Sequence, residues 1–264
     1  MNKTVLSVLL LTIPLWLGVR SADARTLTAH TWQVDGVGRT GLIALPEHGG
    51  QTPAPVVFVF HGHGGTAAQA SRSLAVHTAW PEAMVVYLQG LPTPGRLTDP
   101  EGRKTGWQGG PGEQGDRDLR FFDVVWQDLR DRRAVDLARV YACGHSNGGG
   151  FTYLLWAKRR SVFAAFGPSG SIAARDYGPL EPAPAFHIAG RQDTLVKFAW
   201  QERMTERLRR QHRCGPGEPK AGNVTLYPSA IGAPVATYFY DGGHTYPPEA
   251  TGHLVAFLRG QIKR

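Results

Sequence analysis

A serine flanked by glycines stands at a predicted turn near the middle of the chain, in the sequence G-H-S-N-G over residues 144–148. An apolar run over residues 140–143 precedes it and another over residues 151–158 follows it, which predicts a strand, a sharp turn and a buried helix. Glycines two positions either side of Ser146 permit so tight a turn and leave its hydroxyl projecting outward as a nucleophile. The alternative is a glycine-rich turn with an incidental serine.

Two nearby segments could supply hydrogen-bond donors to an oxyanion formed by attack of Ser146. The helix that follows the serine begins with free amides, including that of Asn147. The sequence H-G-H-G-G over residues 61–65 follows an apolar run typical of a central strand, and the amide of His63 or Gly64 would be the second donor. This segment could instead be a plain turn. A metal site at His61 and His63 is not favoured, because no carboxylate or cysteine accompanies them at ligand spacing.

A histidine and an aspartate follow later predicted strands. His244 comes after the strand at residues 236–240 and a pair of glycines, which let its imidazole project over the sheet edge. Asp193 lies in the loop beyond the strand at residues 184–189, where open α/β sheets place ligand-facing groups. Asp176 and Asp241 are the competing carboxylates. We expect Asp193 to be the acid and His244 to be the base.

The chain order of Ser146, Asp193 and His244 is nucleophile, acid, base, each beyond a successive strand. This is the order found in the α/β-hydrolase fold. In such a site His244 takes the proton of Ser146 during attack on an acyl carbonyl, while Asp193 fixes the imidazole tautomer and stabilises its charged form. An acyl-enzyme forms, and water releases the acid.

The elements that must position these residues form one α/β domain with a mostly parallel sheet and helices on both faces. An antiparallel hairpin is predicted around Asp35 and Gly36, from residues 26–34 and 39–45. Asp118 is a plausible N-cap for the helix that follows it. The remaining strands are expected at residues 55–60, 84–88, 140–143, 163–166, 184–189, 224–227 and 236–240, and further helices at residues 200–211 and 248–258.

A long segment between predicted elements, residues 89–115, is rich in glycine, proline and charge. Its length and irregularity indicate a surface loop bordering the site. Trp107 lies within it. An exposed indole would bind substrate by stacking, whereas the alternative is that it packs the loop onto the core.

The amino terminus has the pattern of a secretory signal over residues 1–24. Lys3 is followed by an apolar run over residues 5–19 and by Ala22-Asp23-Ala24. The run is shorter than the roughly 20 residues of a membrane span, and Pro14 interrupts it. We therefore expect a secreted or periplasmic protein with no membrane span, whose domain covers residues 25–264.

The net charge of the 264-residue chain bears on its binding partners, and its two cysteines bear on whether it has a disulfide. Its net charge of +8 does not predict nucleic-acid binding, because the basic residues lack aromatic interleaving and a known binding motif. A basic surface on an exported protein equally favours anionic polymers or cell-wall material. Cys143 and Cys214 could form a disulfide after export or remain reduced. We expect a monomer with no metal and no organic cofactor.

Four motifs together resemble a known family. They are F-H-G-H-G-G at residues 60–65, D-L-R-F-F-D at 118–123, G-H-S-N-G-G at 144–149 and G-G-H-T-Y-P at 242–247. They are similar to signatures of secreted polyhydroxybutyrate-depolymerase-like esterases, a group related to the feruloyl and acetylxylan esterases of carbohydrate esterase family one. The resemblance covers most of the mature chain.

The resemblance implies a cofactor-free serine esterase with Ser146 as nucleophile, His244 as base, Asp193 as acid and His63 as an oxyanion donor. The implied substrates are feruloyl or acetyl esters on polysaccharide, or short hydroxyalkanoate oligomers. The segment around Asp193 fits the family pattern only loosely. The motif chemistry also permits a serine peptidase or an acyltransferase. From another class, a non-catalytic exported carbohydrate-binding protein with the same fold remains an alternative.

Overall fold

The apolar runs of the sequence form a ten-stranded sheet in the structure, a computed structural model that describes residues 25–263. The predicted signal peptide, residues 1–24, lies outside the described residues. In chain order the strands are β1 (Leu27–Val34), β2 (Val37–Ala44), β3 (Ala54–Phe60), β4 (Met84–Leu88), β5 (Leu91–Pro92), β6 (Thr105–Gly106), β7 (Val135–His145), β8 (Ala165–Ser169), β9 (Ala185–Gly190), β10 (Glu218–Pro219), β11 (Val224–Tyr227) and β12 (Val235–Tyr240). The helices are α1 (Ala67–Ser73), α2 (Val76–Ala79), α3 (Arg117–Arg132), α4 (Asn147–Arg159), α5 (Phe198–Gln211) and α6 (Ala250–Arg259).

The sheet is parallel in its centre and antiparallel at its edges. Its order is β1-β2-β4-β3-β7-β8-β9-β12-β11-β10, and β5 pairs separately with β6. The strands from β4 to β12 in that order are parallel neighbours, so the prediction of a mostly parallel sheet is confirmed. Because parallel strands end at the same edge, the loops that follow β3, β7, β9 and β12 meet at one rim.

The first two strands form the predicted hairpin. β1 and β2 are antiparallel, and Val34 is opposite Val37 across the turn. Asp35 and Gly36 have φ of 50° and 79°, the left-handed values that a type I′ turn requires and that aspartate and glycine tolerate. This hairpin continues the sheet through β4, with which β2 pairs.

Helices cover both faces of the sheet, as predicted. Along β3, Val56, Phe58 and Phe60 join a core formed with α3, α4 and α5, and the intervening Val57 and Val59 join a second core with α1, α2 and α6. All these side chains are fully buried, and burying each contributes roughly 1.5–3 kcal/mol. A continuous apolar strand is therefore expected, because both of its faces are covered.

The prediction that Asp118 caps α3 is wrong. The helix begins at Arg117, and Asp118 lies in its first turn, fully buried, with its carboxylate 2.7 Å from the Arg39 guanidinium of β2. The Gln108 side chain instead accepts hydrogen bonds from the amides of Asp118 and Leu119. The partner of Asp118 lies 79 residues earlier, so a local pattern could not identify it.

Other element boundaries differ slightly from prediction. The strand expected at residues 163–166 is β8, which begins at Ala165 and ends at Ser169.

Cys143 and Cys214 are both free thiols, and burial raises the pKa of Cys143 to about 12. None of the helices within residues 25–263 is both long enough and apolar enough to cross a membrane.

Candidate active site

Ser146 occupies a strained turn between β7 and α4. β7 ends at His145 and α4 begins at Asn147, so the serine is the single residue between them, with φ of 57° and ψ of −121°. This backbone conformation is costly for a residue with a side chain, and such strain is often found at functional sites. A hydrogen bond of 2.8 Å from the Ser146 amide to the Ser169 carbonyl of β8 holds the turn in place.

The flanking glycines are required by close backbone contacts. A Cβ atom on Gly144 would lie 2.6 Å from the Gly148 carbonyl oxygen, and one on Gly148 would lie 2.2 Å from the Phe60 carbonyl oxygen. Neither contact is sterically possible, and the partner in each case is backbone. Only glycine therefore lets the serine turn pack against the end of β3.

Ser146, His244 and Asp193 form a continuous chain of hydrogen bonds. The Ser146 hydroxyl lies 2.7 Å from His244 Nε2, and His244 Nδ1 lies 2.8 Å from Asp193 Oδ2. The three residues follow β7, β12 and β9 respectively, so the shared rim of the parallel strands brings them together. Nδ1–H of the imidazole can donate to the carboxylate while Nε2 accepts from the serine, which is the arrangement a general base needs.

The Asp193 carboxylate is held from several directions. Its side chain is only 1% exposed. Besides His244, it accepts hydrogen bonds from the amides of Leu195 and Val196 and from the Gln201 side chain at 3.0 Å. These bonds fix the orientation of the oxygen that faces the imidazole.

The competing carboxylates lie elsewhere. The side chain of Asp176 is 53% exposed and pairs with Arg96 at 3.0 Å. The side chain of Asp241 is 85% exposed and lies 3.8 Å from Arg191. Of the three candidate aspartates, only Asp193 contacts the imidazole of His244.

The segment that follows β3 lies beside Ser146. A Cβ on Gly62 would be 3.5 Å from the Ser146 Cβ. The Gly64 amide already donates to the Thr105 carbonyl at 2.6 Å, so Gly64 is not available as an oxyanion donor. The His63 amide has no acceptor among residues 25–263. Asn147 is the first residue of α4, where a helix has no internal partner for its amide. His63 and Asn147 are therefore the donors that the geometry favours.

The prediction that Trp107 binds substrate is wrong. Its side chain is fully buried and does not line the cavity beside Ser146. The indole packs parallel to the Phe151 ring, with centroids 5.1 Å apart, and its N–H donates to the His61 carbonyl at 2.9 Å. The alternative in which Trp107 packs the loop onto the core is correct. The apolar helix after Ser146 supplies the ring on which it packs.

Trp107 also contacts the candidate oxyanion donors through its backbone. Its amide donates to the Asn147 side chain at 2.7 Å, and its carbonyl accepts from the same side chain at 3.0 Å. The segment of residues 89–115, called here the 89–115 loop, also contacts His63. The His63 imidazole lies 3.1 Å from the Asp99 carboxylate of this loop. One loop thus connects the segment after β3 to the start of α4.

A second histidine lies against His244. The rings of His145 and His244 have centroids 5.0 Å apart, and His145 Nδ1 lies 3.0 Å from the Ser169 hydroxyl. Desolvation, reinforced by the neighbouring His244, lowers the pKa of His145 to about 4. His145 is therefore neutral near pH 7. No role for His145 follows from the sequence motifs alone, although its position just before Ser146 is a signal that it lies at the site.

An apolar cavity of about 520 Å³ opens beside Ser146. Residues 94–98 of the 89–115 loop form one wall, residues 171–177 form another, and Leu195, Val196 and Trp200 form the third. The side chains of Leu97, Leu195 and Trp200 remain 55%, 37% and 37% exposed. These three residues were missed from the sequence because they lie in loops or at a helix start. The volume suits a small organic group.

Within residues 25–263 there is no cluster of three or more histidine, cysteine, aspartate or glutamate side chains that could hold a metal ion. His61 is instead bonded within the protein, because its Nε2 accepts from the Gly90 amide at 2.9 Å. The side chains joined to Ser146 by hydrogen bonds are the imidazole of His244 and, behind it, the carboxylate of Asp193.

The order of the parallel strands, with Ser146, Asp193 and His244 in the loops after β7, β9 and β12, is that of the α/β-hydrolase fold. Solved structures support this assignment. The structure called "Crystal Structure of a Thermostable Esterase" superposes with a TM-score of 0.66 at 17% identity, over 90% of this chain and 63% of that chain. At that identity the likeness concerns the fold.

Curated relatives indicate the group within this fold. Feruloyl esterase C of Emericella nidulans is 29% identical over 164 residues, covering 60% of this chain and 59% of the relative. A probable feruloyl esterase C of Aspergillus clavatus is 25% identical over 227 residues, covering 83% of this chain and 80% of the relative. No family model matches the chain. The resemblance to feruloyl-esterase-like proteins predicted from the motifs is confirmed.

The match covers only part of the length of these relatives. The chain spans about three fifths of the length of several curated relatives it matches, with 59% and 60% covered in two of them. The activities of these relatives therefore support a proposal for this chain and do not establish its function.

Proposed function

We propose that this chain is a serine esterase that hydrolyses carboxylic esters, and that its natural substrates are esters carried on polysaccharide. The observation that carries the proposal is the hydrogen-bonded chain of Ser146, His244 and Asp193 at the mouth of an apolar cavity. The names of the curated relatives, which include feruloyl esterases, support the substrate class.

In the proposed reaction, Ser146 Oγ attacks the ester carbonyl as its proton moves to His244 Nε2. The resulting imidazolium is stabilised by Asp193, which receives the Nδ1–H bond. The amides of His63 and Asn147 donate to the oxyanion, and losing one such donor raises the barrier by about 3 kcal/mol. His244 then gives the proton to the departing alcohol. Water attacks the acyl-enzyme by the same route and releases the acid.

The decisive test replaces the nucleophile. We expect Ser146→Ala to abolish hydrolysis of p-nitrophenyl acetate and labelling by a fluorophosphonate, because no other hydroxyl contacts His244 among the described residues. Ser171→Ala is the matched control, since Ser171 lines the same cavity; that variant should still be labelled. Unchanged hydrolysis in Ser146→Ala would refute the proposal.

A panel of esters would determine which acyl group the enzyme prefers. Methyl ferulate, acetylated xylan and hydroxybutyrate oligomers differ in size and aromaticity, and the cavity beside Ser146 must hold the acyl part. The ranking of kcat/KM across the panel identifies the preferred class.

We further propose that residues 1–24 direct export and are removed, which amino-terminal sequencing of the secreted protein tests directly.

A further inference from the structure

Positively charged side chains lie along one face of α5, which begins at the mouth of the cavity. Trp200 lines the cavity, and Arg203, Arg207 and Arg210 follow at intervals of three, four and three residues. Because a helix has 3.6 residues per turn, this spacing keeps all four side chains on one face. The three arginines, called here the arginine row, are all exposed. From Trp200 to Arg210 the face is about 15 Å long.

The arginine row forms no ion pair within the described residues. No carboxylate among residues 25–263 pairs with Arg203, Arg207 or Arg210, whereas neighbouring Arg209 faces Glu206 at 4.0 Å. Glu206 lies three residues after Arg203 and four residues before Arg210, so it borders the row, yet among these residues its carboxylate pairs only with Arg209.

Neighbouring arginines of the row repel one another. Arg203 and Arg207 are four residues apart, and Arg207 and Arg210 are three apart, so each pair brings like charges together. Lys197 stands at the start of the helix, where the macrodipole disfavours a cation. An external anion would relieve this repulsion.

The position of the row beside the cavity indicates which anion. Given the proposed function, an ester group enters the cavity while its polymeric carrier must lie outside, across the exposed indole of Trp200. An indole face suits stacking with a sugar ring, and guanidinium groups suit bidentate contacts with carboxylates. A nucleic acid also carries negative charge but contains no carboxylic ester for Ser146 to attack.

We propose that the face formed by Trp200 and the arginine row binds an anionic polysaccharide, one that bears uronate carboxylates and carries the scissile ester. This inference rests on the proposed function and narrows its substrate to acidic polysaccharides. It predicts that the row contributes to binding of the polymer and not to the chemistry at Ser146.

The test compares two triple variants of equal charge. The first is Arg203→Gln, Arg207→Gln and Arg210→Gln. The control is Arg72→Gln, Arg132→Gln and Arg133→Gln, which removes three exposed arginines. Arg72 lies in α1. Arg132 and Arg133 lie at the end of α3, next to the start of β7, whereas Ser146 follows the other end of that strand. Binding to polygalacturonate and to neutral dextran is measured by affinity gel electrophoresis at low salt.

We expect the full-length wild-type protein to bind polygalacturonate and not dextran, and added salt to weaken the binding. The row variant should bind about tenfold more weakly or worse, while the control stays within about twofold of wild type. With an acetylated acidic polysaccharide as substrate, the row variant should show a raised KM at unchanged kcat. Both variants should hydrolyse p-nitrophenyl acetate at the wild-type rate.

Three outcomes would overturn the inference: full binding by the row variant, an equal loss in the control, or equally tight row-dependent binding of duplex DNA. Failure of the proposed function is distinguishable, because it appears as absent p-nitrophenyl acetate hydrolysis by the wild-type protein. Polymer binding is measured separately from that activity, and an unchanged Tm in both variants shows that each is folded.

Discussion

The indole N–H of Trp107 donates to the His61 carbonyl, and the Trp107 backbone holds the Asn147 side chain. One buried residue therefore touches both segments that carry the candidate oxyanion donors. Its buried ring stabilises the fold through Phe60 and Phe151. Its N–H has a separate consequence, because it fixes the carbonyl two residues before His63.

We predict that Trp107→Phe lowers kcat for ester hydrolysis about tenfold with little change in KM. Phenylalanine keeps an aromatic ring against Phe151 but removes the bond to His61, so the His63 amide is less well placed for the oxyanion. Steady-state kinetics measure the effect, and thermal unfolding measures the accompanying loss of stability. Trp126→Phe is the control, because Trp126 is buried in the same core without contacting the 61–65 segment.

A purely structural role for Trp107 would give a different result. In that case Trp107→Phe would lower Tm while kcat stayed at the wild-type value once the protein was folded. The kinetic result, rather than the stability, therefore decides whether Trp107 positions the site.

At the scale of elements, a buried ion pair joins β2 to α3. Arg39 is 2% exposed and Asp118 is fully buried, and their side chains lie 2.7 Å apart. The second carboxylate oxygen of Asp118 accepts from the Gln108 amide at 2.8 Å. Desolvation lowers the pKa of Arg39, and the neighbouring carboxylate opposes that change. The pair thereby connects the hairpin, the 89–115 loop and α3.

We predict that Asp118→Ala lowers the free energy of unfolding by about 3–5 kcal/mol, because it leaves the Arg39 charge buried without a partner. Urea denaturation measures the change. The double variant Arg39→Met with Asp118→Leu removes both charges and should regain much of the lost stability. Equal destabilisation in the single and double variants would mean that the buried charge is not the cause.

Much of this architecture was predictable because its determinants are local. The apolar run of β3 and the glycines around Ser146 reflect burial and steric contact within short segments, and Asp193 was found because strand ends share a rim. The roles of Asp118 and Trp107 depend on Arg39 and Phe151, which are far away in the chain. The walls of the cavity, including Trp200, come from loops whose meeting point only the tertiary structure defines.

At the scale of the whole molecule, histidines that are neutral in the folded state make stability depend on pH. Desolvation lowers the pKa of the fully buried His187 and His212 to about 4 each. An unfolded histidine binds a proton below about pH 6.5. Between pH 6.5 and 4 the unfolded chain therefore binds more protons than the folded one, so acidification favours unfolding.

We predict that the free energy of unfolding falls steadily as the pH is lowered from 6.5 to 4, by on the order of 3 kcal/mol for each fully buried ring. Urea denaturation across this pH range measures the slope. His212→Gln should reduce the slope by removing one titrating group, whereas His48→Gln, at an exposed position, should leave it unchanged. A flat or rising stability on acidification would contradict the prediction.

The two unlinked cysteines have a practical consequence. Cys143 is enclosed in the centre of the sheet, where its high pKa keeps the thiol protonated and unreactive, and Cys214 does not reach it. The native state thus needs no oxidising folding catalyst. We expect residues 25–264 to fold in a reducing bacterial cytosol and to stay folded when a thiol reductant is present, because no disulfide joins Cys143 and Cys214.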